Sequence, residues 1–187
     1  MEYVEPIKDI EKINKIKLLL RKQSKRDYLL FVLGINTGLR ISELLKIKVR
    51  DIWDGDQAKE FYVLTNSPNI QTNAFFLNSK VKKALKDYLS ESNISGEDFL
   101  FRSKKNNQPI TRQQAYRIIN KAAKEVGVPG KIGTHTLRKT FAYHAYKKGI
   151  AISILQKILN HSTSSETLKY IGIVKLEEEP IRVDVNL

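Results

Sequence analysis

Apolar residues near the start of the chain recur at a helical interval. Residues 8–22 place apolar side chains two to four positions apart, which predicts an amphipathic helix with a basic outer face. Ser24, with Asp27 three residues later, predicts the N-cap of a second helix. Residues 28–35 are apolar nearly all round and Gly38 follows, so we expect this helix to be buried and to end there.

The pattern then changes from helical to β-rich. Residues 39–48 resume a helical period, which places Arg40 at the start of a helix. Three stretches rich in β-branched and aromatic residues follow, over residues 49–53, 60–65 and 73–77, separated by Asp-Gly or Asn-Ser-Pro-Asn turn sequences. These stretches predict a small three-stranded antiparallel sheet.

Helical signals return after the predicted sheet. Ser79 predicts the cap of one helix, and Thr111 with Gln114 forms a capping box for another that ends near Gly127. Three more helices are predicted, over residues 134–148, 150–159 and 166–171. We therefore expect an α+β fold that is mainly α-helical, with one small antiparallel sheet.

The charge of the chain points to a polyanionic partner. The 187 residues are about one domain in length and include 33 Lys and Arg against 20 Asp and Glu, a formal net charge of +13. A hydrophobic share of 41% and a charged share of 28% exclude a disordered basic tail and a membrane protein. An RNA- or ribosome-binding domain would explain the charge as well as a DNA-binding one.

Two features that the sequence lacks exclude further kinds of site and a location in the membrane. The chain contains no cysteine, which excludes disulfides, thiolate metal sites and cysteine nucleophiles. Its first residues lack a signal-peptide pattern, and the apolar run over residues 28–39 is too short to span a bilayer. We therefore expect a cytoplasmic protein without a membrane partner.

Four charged or titratable residues lie in apolar helical contexts, namely Arg40, His135, Arg138 and His161. A charge in such a place costs free energy unless it has a partner or a ligand. His135 and Arg138 are three residues apart, so one helix face presents an imidazole and a guanidinium, a pair that suits a phosphate. In a chain this basic, such a pair also arises by chance on a solvated face. Taken alone, His161 fits a helix C-terminal cap and Tyr170 fits an ordinary core or surface aromatic.

The order and spacing of these residues are more specific than any one of them. The segment Thr37-Gly-Leu-Arg-Ile-Ser-Glu-Leu44 precedes the predicted sheet, and His135-Thr-Leu-Arg138, Leu159-Asn-His161 and Tyr170 follow it. This succession resembles the tyrosine recombinase (phage integrase) family over nearly the whole chain. The resemblance implies the catalytic-domain fold of that family and the activity of a site-specific DNA recombinase or integrase.

The resemblance also implies a mechanism. Tyr170 would attack a DNA backbone phosphate, forming a 3′-phosphotyrosine and releasing a 5′-hydroxyl that a second strand uses to reverse the step. A tyrosine hydroxyl titrates near ~10, so neighbouring groups must remove its proton or stabilise its charge. Arg40 and Arg138 would clamp the non-bridging oxygens of the five-coordinate transition state. The phosphotyrosine stores the bond energy, so neither a cofactor nor a metal is implied.

The remaining roles come from the same analogy. His135 would be the general base for Tyr170, and His161 would donate a hydrogen bond to the phosphate. Glu43, one helical turn from Arg40, would hold that guanidinium in place. The implied partner is double-stranded DNA, on which the chain would assemble as a homotetramer, with accessory DNA-bending proteins as further partners.

The sequence departs from the family pattern at one catalytic position. Family members carry a lysine in the turn between the second and third strands, where it protonates the leaving 5′-oxygen, but residues 65–73 contain no lysine. Lys59 and Lys80 flank the hairpin at its other ends. Because a missing general acid typically costs about 10² to 10⁴ in rate, either a basic residue reaches in from elsewhere or cleavage is slow.

The ends of the chain carry two further expectations. The family's N-terminal core-binding domain is absent, so we expect residues 1–187 to be a single catalytic domain, either an excised fragment or a minimal variant. Residues 172–187 would dock on a neighbouring protomer. Two rivals remain: a non-catalytic or weakly active DNA-binding module, favoured by the missing lysine, and a type IB topoisomerase, disfavoured by the spacing from His161 to Tyr170.

Overall fold

The computed structural model describes residues 4–64, 74–133 and 135–173. Within these ranges the chain forms nine helices and two strands: α1 (Ile10–Gln23), α2 (Lys25–Thr37), α3 (Ile41–Leu44), α4 (Val49–Ile52), β1 (Phe61–Val63), β2 (Ala74–Phe76), α5 (Ser79–Leu89), α6 (Arg112–Glu125), α7 (Thr136–Lys147), α8 (Ile152–Leu159) and α9 (Ser164–Tyr170). The predicted mainly helical α+β fold with a small antiparallel sheet is confirmed. None of the helices in these ranges is long and apolar enough to cross a membrane.

Helix α2 is the centre of the hydrophobic core. Ser24 caps it through a 3.3 Å hydrogen bond from the backbone N–H of Asp27, as the sequence predicts. Its consecutive residues from Leu29 to Leu33 are all buried, and it packs against α1, α5 and α7. A helix that is apolar on every side is stable in water only when its neighbours bury its whole surface, and these three helices do so.

The end of α2 depends on Gly38. Its φ of 72° lies in the left-handed region, where glycine has no steric penalty, and its backbone N–H closes the helix on Gly34. A Cβ at Gly38 would overlap the ring of Phe141, whose Cε1 lies 2.7 Å from that position. The tight turn therefore brings the end of α2 against Phe141 of α7.

The structure corrects the predicted elements between residues 39 and 53. The helical period expected over residues 39–48 forms only the one-turn helix α3. Residues 49–53, expected as the first strand, instead begin with helix α4, because the Asp51 carboxylate accepts a 2.8 Å hydrogen bond from the backbone N–H of Lys48 and caps that turn. This local capping outweighs the β propensity of the apolar residues.

The sheet consequently has two strands in the described residues, and the expectation of three is wrong there. Strand β1 pairs antiparallel with β2, with Tyr62 opposite Phe75. Trp53 contributes only an isolated antiparallel bridge to Ala58. The predicted turn over residues 65–73 lies outside the described residues.

The remaining helices follow the sequence closely. The capping box of Thr111 and Gln114 at the start of α6 is confirmed. The cap of α5 is Asn78 and not Ser79, because the Asn78 side chain accepts from two backbone N–H groups of the first turn. Helices α7, α8 and α9 lie within or close to the predicted ranges and enclose a second small apolar cluster centred on Ala142. Most of the segment expected to dock on a neighbouring protomer, residues 174–187, lies outside the described residues.

Candidate active site

Helix α7 supplies an unusual run of buried polar residues. Thr136 and Thr140 are buried, as are the two cationic residues between them, Arg138 and Lys139. The hydroxyl of Thr140 donates to the carbonyl of Thr136 at 2.7 Å and accepts from the backbone N–H of Ile7 at 2.9 Å. These hydrogen bonds compensate the buried threonine and tie α7 to the segment before α1.

Arg138 is 5% exposed and joins three parts of the chain. Its guanidinium donates to the carbonyl of Gly38 at 2.9 Å and to the carbonyl of Ile158 at 3.2 Å. The Glu43 carboxylate lies 3.9 Å from the same guanidinium. Burial lowers the pKa of Arg138, and the nearby Arg40 lowers it further, while Tyr170 and Glu43 oppose the change.

Arg40 and Glu43 form the second part of the site. The backbone N–H of Arg40 donates to Glu43 Oε2 at 2.6 Å, and the Arg40 side chain donates to Oε1 at 3.0 Å. The Arg40 side chain is 47% exposed, whereas that of Glu43 is 19% exposed. One carboxylate therefore contacts both arginines, and it leaves Arg40 facing solvent while Arg138 stays inside.

His161 and Tyr170 come together where the connection after α8 meets α9. Asn160, in the left-handed conformation with a φ of 54°, caps α8, so the expectation that His161 is that cap is wrong. His161 Nδ1 lies 3.0 Å from Thr167 Oγ1, and its ring meets the Tyr170 ring edge-on at a centroid distance of 4.9 Å. The Thr167 hydroxyl itself donates to the Thr163 carbonyl at 3.2 Å, which assigns the proton to Nδ1 of the imidazole.

The Tyr170 hydroxyl is the single buried side-chain polar atom without a hydrogen-bond partner among the described residues. Burial raises the pKa of Tyr170, and the positive charges of Arg138 and Arg40 partly offset this. The Nζ atom of Lys139 lies 4.8 Å from the centroid of the Tyr170 ring. Sequence reasoning missed Lys139, although its place beside Arg138 in an apolar helix is a signal that could have found it.

The pKa values of both site histidines lie below the ordinary value. His135 occupies the N-cap position of α7 without a side-chain capping bond, and burial lowers its pKa, followed by the charges of Lys139, Arg138 and Arg40. Burial also lowers the pKa of His161; Glu166 opposes this. Both imidazoles are therefore neutral near pH 7 in the free protein.

The six predicted site residues converge although they span 130 positions of sequence. Glu43 contacts both guanidinium groups, and the charges of Arg40 and Arg138 act on His135, His161 and Tyr170. The described part of the chain contains no group of three or more His, Cys, Asp or Glu side chains that could hold a metal ion. The charges of two arginines thus act on a half-buried tyrosine whose hydroxyl is buried, an arrangement that suits an anion near the phenol.

Comparison with known proteins shows the family of the chain. The sequence model of the phage integrase family matches residues 6–175. A relative described as a probable integrase/recombinase, YoeC of Bacillus subtilis strain 168, is 42% identical over 173 residues, 92% of each chain. The chain therefore belongs to the phage integrase family. It spans about half the length of several curated tyrosine recombinases that it also matches.

Solved structures share the fold. The crystal structure of XerA recombinase superposes with a TM-score of 0.74 at 21% identity, over 93% of this chain and 61% of the other. A post-cleavage complex of XerH site-specific recombinase bound to a palindromic difH substrate gives a TM-score of 0.67 at 21% identity, over 94% and 51%. The chain thus shares the fold of these recombinase structures.

Proposed function

We propose that residues 1–187 form the catalytic domain of a site-specific DNA recombinase or integrase that cleaves and rejoins strands through a 3′-phosphotyrosine. The observation that supports this most directly is the buried Tyr170 hydroxyl, which has no hydrogen-bond partner in the described part of the chain while the charges of Arg138 and Arg40 act on it. An unsatisfied buried hydroxyl costs about 1 to 3 kcal/mol, so its retention favours a role in chemistry. A phosphodiester between the two guanidiniums would present phosphorus to that hydroxyl.

The proposed step is an in-line displacement at phosphorus. The Tyr170 oxygen bonds to phosphorus as its proton passes to a base, and the bond from phosphorus to the 5′-oxygen breaks. The leaving oxygen takes up a proton and becomes a 5′-hydroxyl, while the 3′-phosphate remains on the tyrosine. Attack by a 5′-hydroxyl from another strand reverses the exchange, so the number of phosphoester bonds is conserved.

The two arginines have different parts in this proposal. Arg138 is held by the carbonyls of Gly38 and Ile158 and offers its remaining N–H groups to a non-bridging oxygen. Arg40 is exposed and anchored by Glu43, so it can meet the phosphate from the solvent side. Because both are already oriented in the free protein, they stabilise the added charge of the transition state without reorganising.

The histidines supply the proton chemistry. The lowered pKa of His135 keeps its imidazole neutral near pH 7, as a general base for Tyr170 requires. His161 donates a hydrogen bond from Nδ1–H to the Thr167 hydroxyl. In the neutral imidazole, Nε2 therefore carries no proton and can only accept a hydrogen bond. His161 can therefore donate to phosphate only as an imidazolium, a form that a bound phosphate anion would favour by raising its pKa.

Double-stranded DNA is the proposed substrate, and a homotetramer on paired sites, with accessory DNA-bending proteins, is the proposed assembly. The net charge of +13 supports a polyanionic partner, and the XerH structure is bound to a DNA substrate. A non-catalytic DNA-binding module with the same fold is the second candidate, since residues 65–73 contain no lysine to serve as general acid.

A suicide-substrate assay tests the proposal. The protein is incubated, with chelator and without added metal, with a pool of nicked duplexes carrying the junction sequences that flank the gene. We expect a covalent protein–DNA adduct on a denaturing gel, lost in Tyr170→Phe and retained in Tyr143→Phe, a tyrosine of the neighbouring apolar cluster. Binding without an adduct favours the non-catalytic module, and relaxation of supercoiled plasmid regardless of sequence favours a type IB topoisomerase.

A further inference from the structure

Lys139 lies where a cation is costly. The residue is 6% exposed on α7, and burial lowers the pKa of its ammonium, an effect that the Glu5 carboxylate partly offsets. A buried ammonium needs compensating contacts, and one of those it makes is with an aromatic face: its Nζ lies 4.8 Å from the centroid of the Tyr170 ring. A cation–π contact is stronger when the cation is removed from water, as it is here.

We propose that Lys139 is a positioning residue for Tyr170, which holds the phenol ring through its face and stabilises negative charge on the phenol oxygen. The inference rests on the proposed role of Tyr170 as nucleophile. Lys139 is thus a third cation of the site, beside the two arginines, and it acts on the tyrosine and not on the phosphate.

The geometry also separates Lys139 from the general acid that residues 65–73 lack. In an in-line displacement the attacking and leaving oxygens lie on opposite sides of phosphorus. Lys139 contacts the ring of the attacking group, so it lies on the nucleophile's side, away from the leaving 5′-oxygen. Lys139 therefore orients and activates the nucleophile and does not replace the missing acid.

The Tyr170 ring is held from two directions. The Lys139 ammonium lies over its face from α7, and the His161 ring meets it edge-on from the α8–α9 connection. Its hydroxyl, by contrast, has no partner among the described residues. The ring is thus fixed while the oxygen stays available, which is the arrangement needed to deliver a nucleophile to phosphorus at short range.

Two measurements on the free protein test the contact and need no cleavage activity. In the first, proton NMR follows the Lys139 ε-methylene signals, which we expect to be shifted upfield by the ring current and to return to ordinary values in Tyr170→Leu. In the second, tyrosine labelled with ¹³C at Cζ reports the titration of Tyr170, assigned by its loss in Tyr170→Phe.

The titration compares Lys139→Met, which keeps the apolar stem, with Lys139→Arg, which keeps the cation. Burial lowers the pKa of Lys139 and raises that of Tyr170, so the ammonium does not stay charged throughout the titration of the phenol, whereas the guanidinium of Lys139→Arg does. We therefore expect the pKa of Tyr170 to be lower in Lys139→Arg than in Lys139→Met. The charged and titratable groups around the pair are Arg40 from the start of α3, His135 and Arg138 from α7, His161 from the α8–α9 connection and Glu5 from the N-terminal segment. All are unchanged in both variants.

Adduct formation then measures the consequence. We expect Lys139→Met to form the covalent adduct about ten- to thirty-fold more slowly, with DNA affinity within about twofold of wild type, and Lys139→Arg to recover most of the rate. Lys147→Met, which removes one charge from an exposed position on the same helix, should cleave as wild type.

Three outcomes overturn the inference: an unshifted lysine signal, the same Tyr170 pKa in Lys139→Arg and in Lys139→Met, or adduct formation as slow in Lys139→Arg as in Lys139→Met. If no variant forms an adduct, wild type included, while the ring-current shift and the pKa change appear, the positioning contact stands and the proposed recombinase activity fails. Loss of folding in Lys139→Met leaves the wild-type ring-current measurement and Lys139→Arg as the deciding tests.

Discussion

The guanidinium of Arg138 donates a 2.9 Å hydrogen bond to the carbonyl of Gly38, a residue exactly 100 positions earlier in the chain. This contact joins the end of α2 to the first turn of α7, and the same guanidinium reaches the end of α8 through Ile158. A single buried cation therefore fixes the relative positions of the elements that carry Arg40, His135 and His161. The stability of the fold and the geometry of the site depend on the same bond.

Gly38 should tolerate no side chain. Gly38→Ala places a Cβ against the Phe141 ring at a φ of 72°, so we expect a loss of roughly 2 to 4 kcal/mol in the free energy of unfolding. Gly149→Ala is the matched control, because Gly149 has a φ of 88° with nothing within 4 Å, and it should lose only about 1 kcal/mol. Urea denaturation measures both, and equal losses would show that the Phe141 contact is unimportant.

Glu43 should matter for catalysis more than its exposed ion pair suggests. Glu43→Gln keeps the shape but removes the charge that orients both Arg40 and Arg138, so we expect roughly tenfold slower adduct formation. Asp51→Asn removes the equivalent capping carboxylate of α4 and is the control for loss of a cap. Single-turnover kinetics compare the two, and similar rates for both variants would contradict a role for Glu43 at the site.

Removing the Tyr170 hydroxyl should not destabilise the protein. Because that oxygen is buried without a partner among the described residues, Tyr170→Phe should keep the free energy of unfolding or raise it by up to about 1 kcal/mol. Tyr116→Phe provides the contrast, since the Tyr116 hydroxyl accepts a 3.3 Å hydrogen bond from Asn120. Chemical denaturation measures the free energy of unfolding of both variants. A loss above about 1 kcal/mol in Tyr170→Phe would show that the Tyr170 hydroxyl has a hydrogen-bond partner.

The two site histidines should make the DNA-free protein less stable in mild acid. Burial lowers the pKa of both His135 and His161 below the usual 6.5. Between those lowered values and 6.5 the unfolded chain binds more protons than the folded one, so the free energy of unfolding falls as the pH falls through that window.

Thermal unfolding followed by circular dichroism between about pH 7.5 and pH 5 measures this dependence. We expect the Tm to decrease across the range in wild type and to decrease less in the double variant His135→Gln, His161→Gln. The lowered pKa values of Asp54, Glu97 and Asp98 keep those carboxylates outside the window. An equal decrease in both proteins would show that other groups cause the pH dependence.

Local signals explain which elements could be predicted. Helices α1, α2, α6 and α7 follow from apolar periodicity and from caps such as Ser24 and Thr111, whose partners lie three residues away. The prediction of a strand over residues 49–53 was wrong. The Asp51 side chain caps a helical turn there, and this local signal for a helix competes with the β propensity of the neighbouring residues. Short apolar stretches leave this choice open.

The sequence by itself determined the order of the chemical residues and the helices that carry them, because both are encoded within a few positions. It placed Arg40 at a helix start and set His135 three residues before Arg138. Only the tertiary structure decided that Arg138 is buried, that Glu43 contacts both arginines and that Lys139 lies over Tyr170. Packing of α7 against α2, α8 and α9 creates these contacts, and no spacing rule within one helix contains that information.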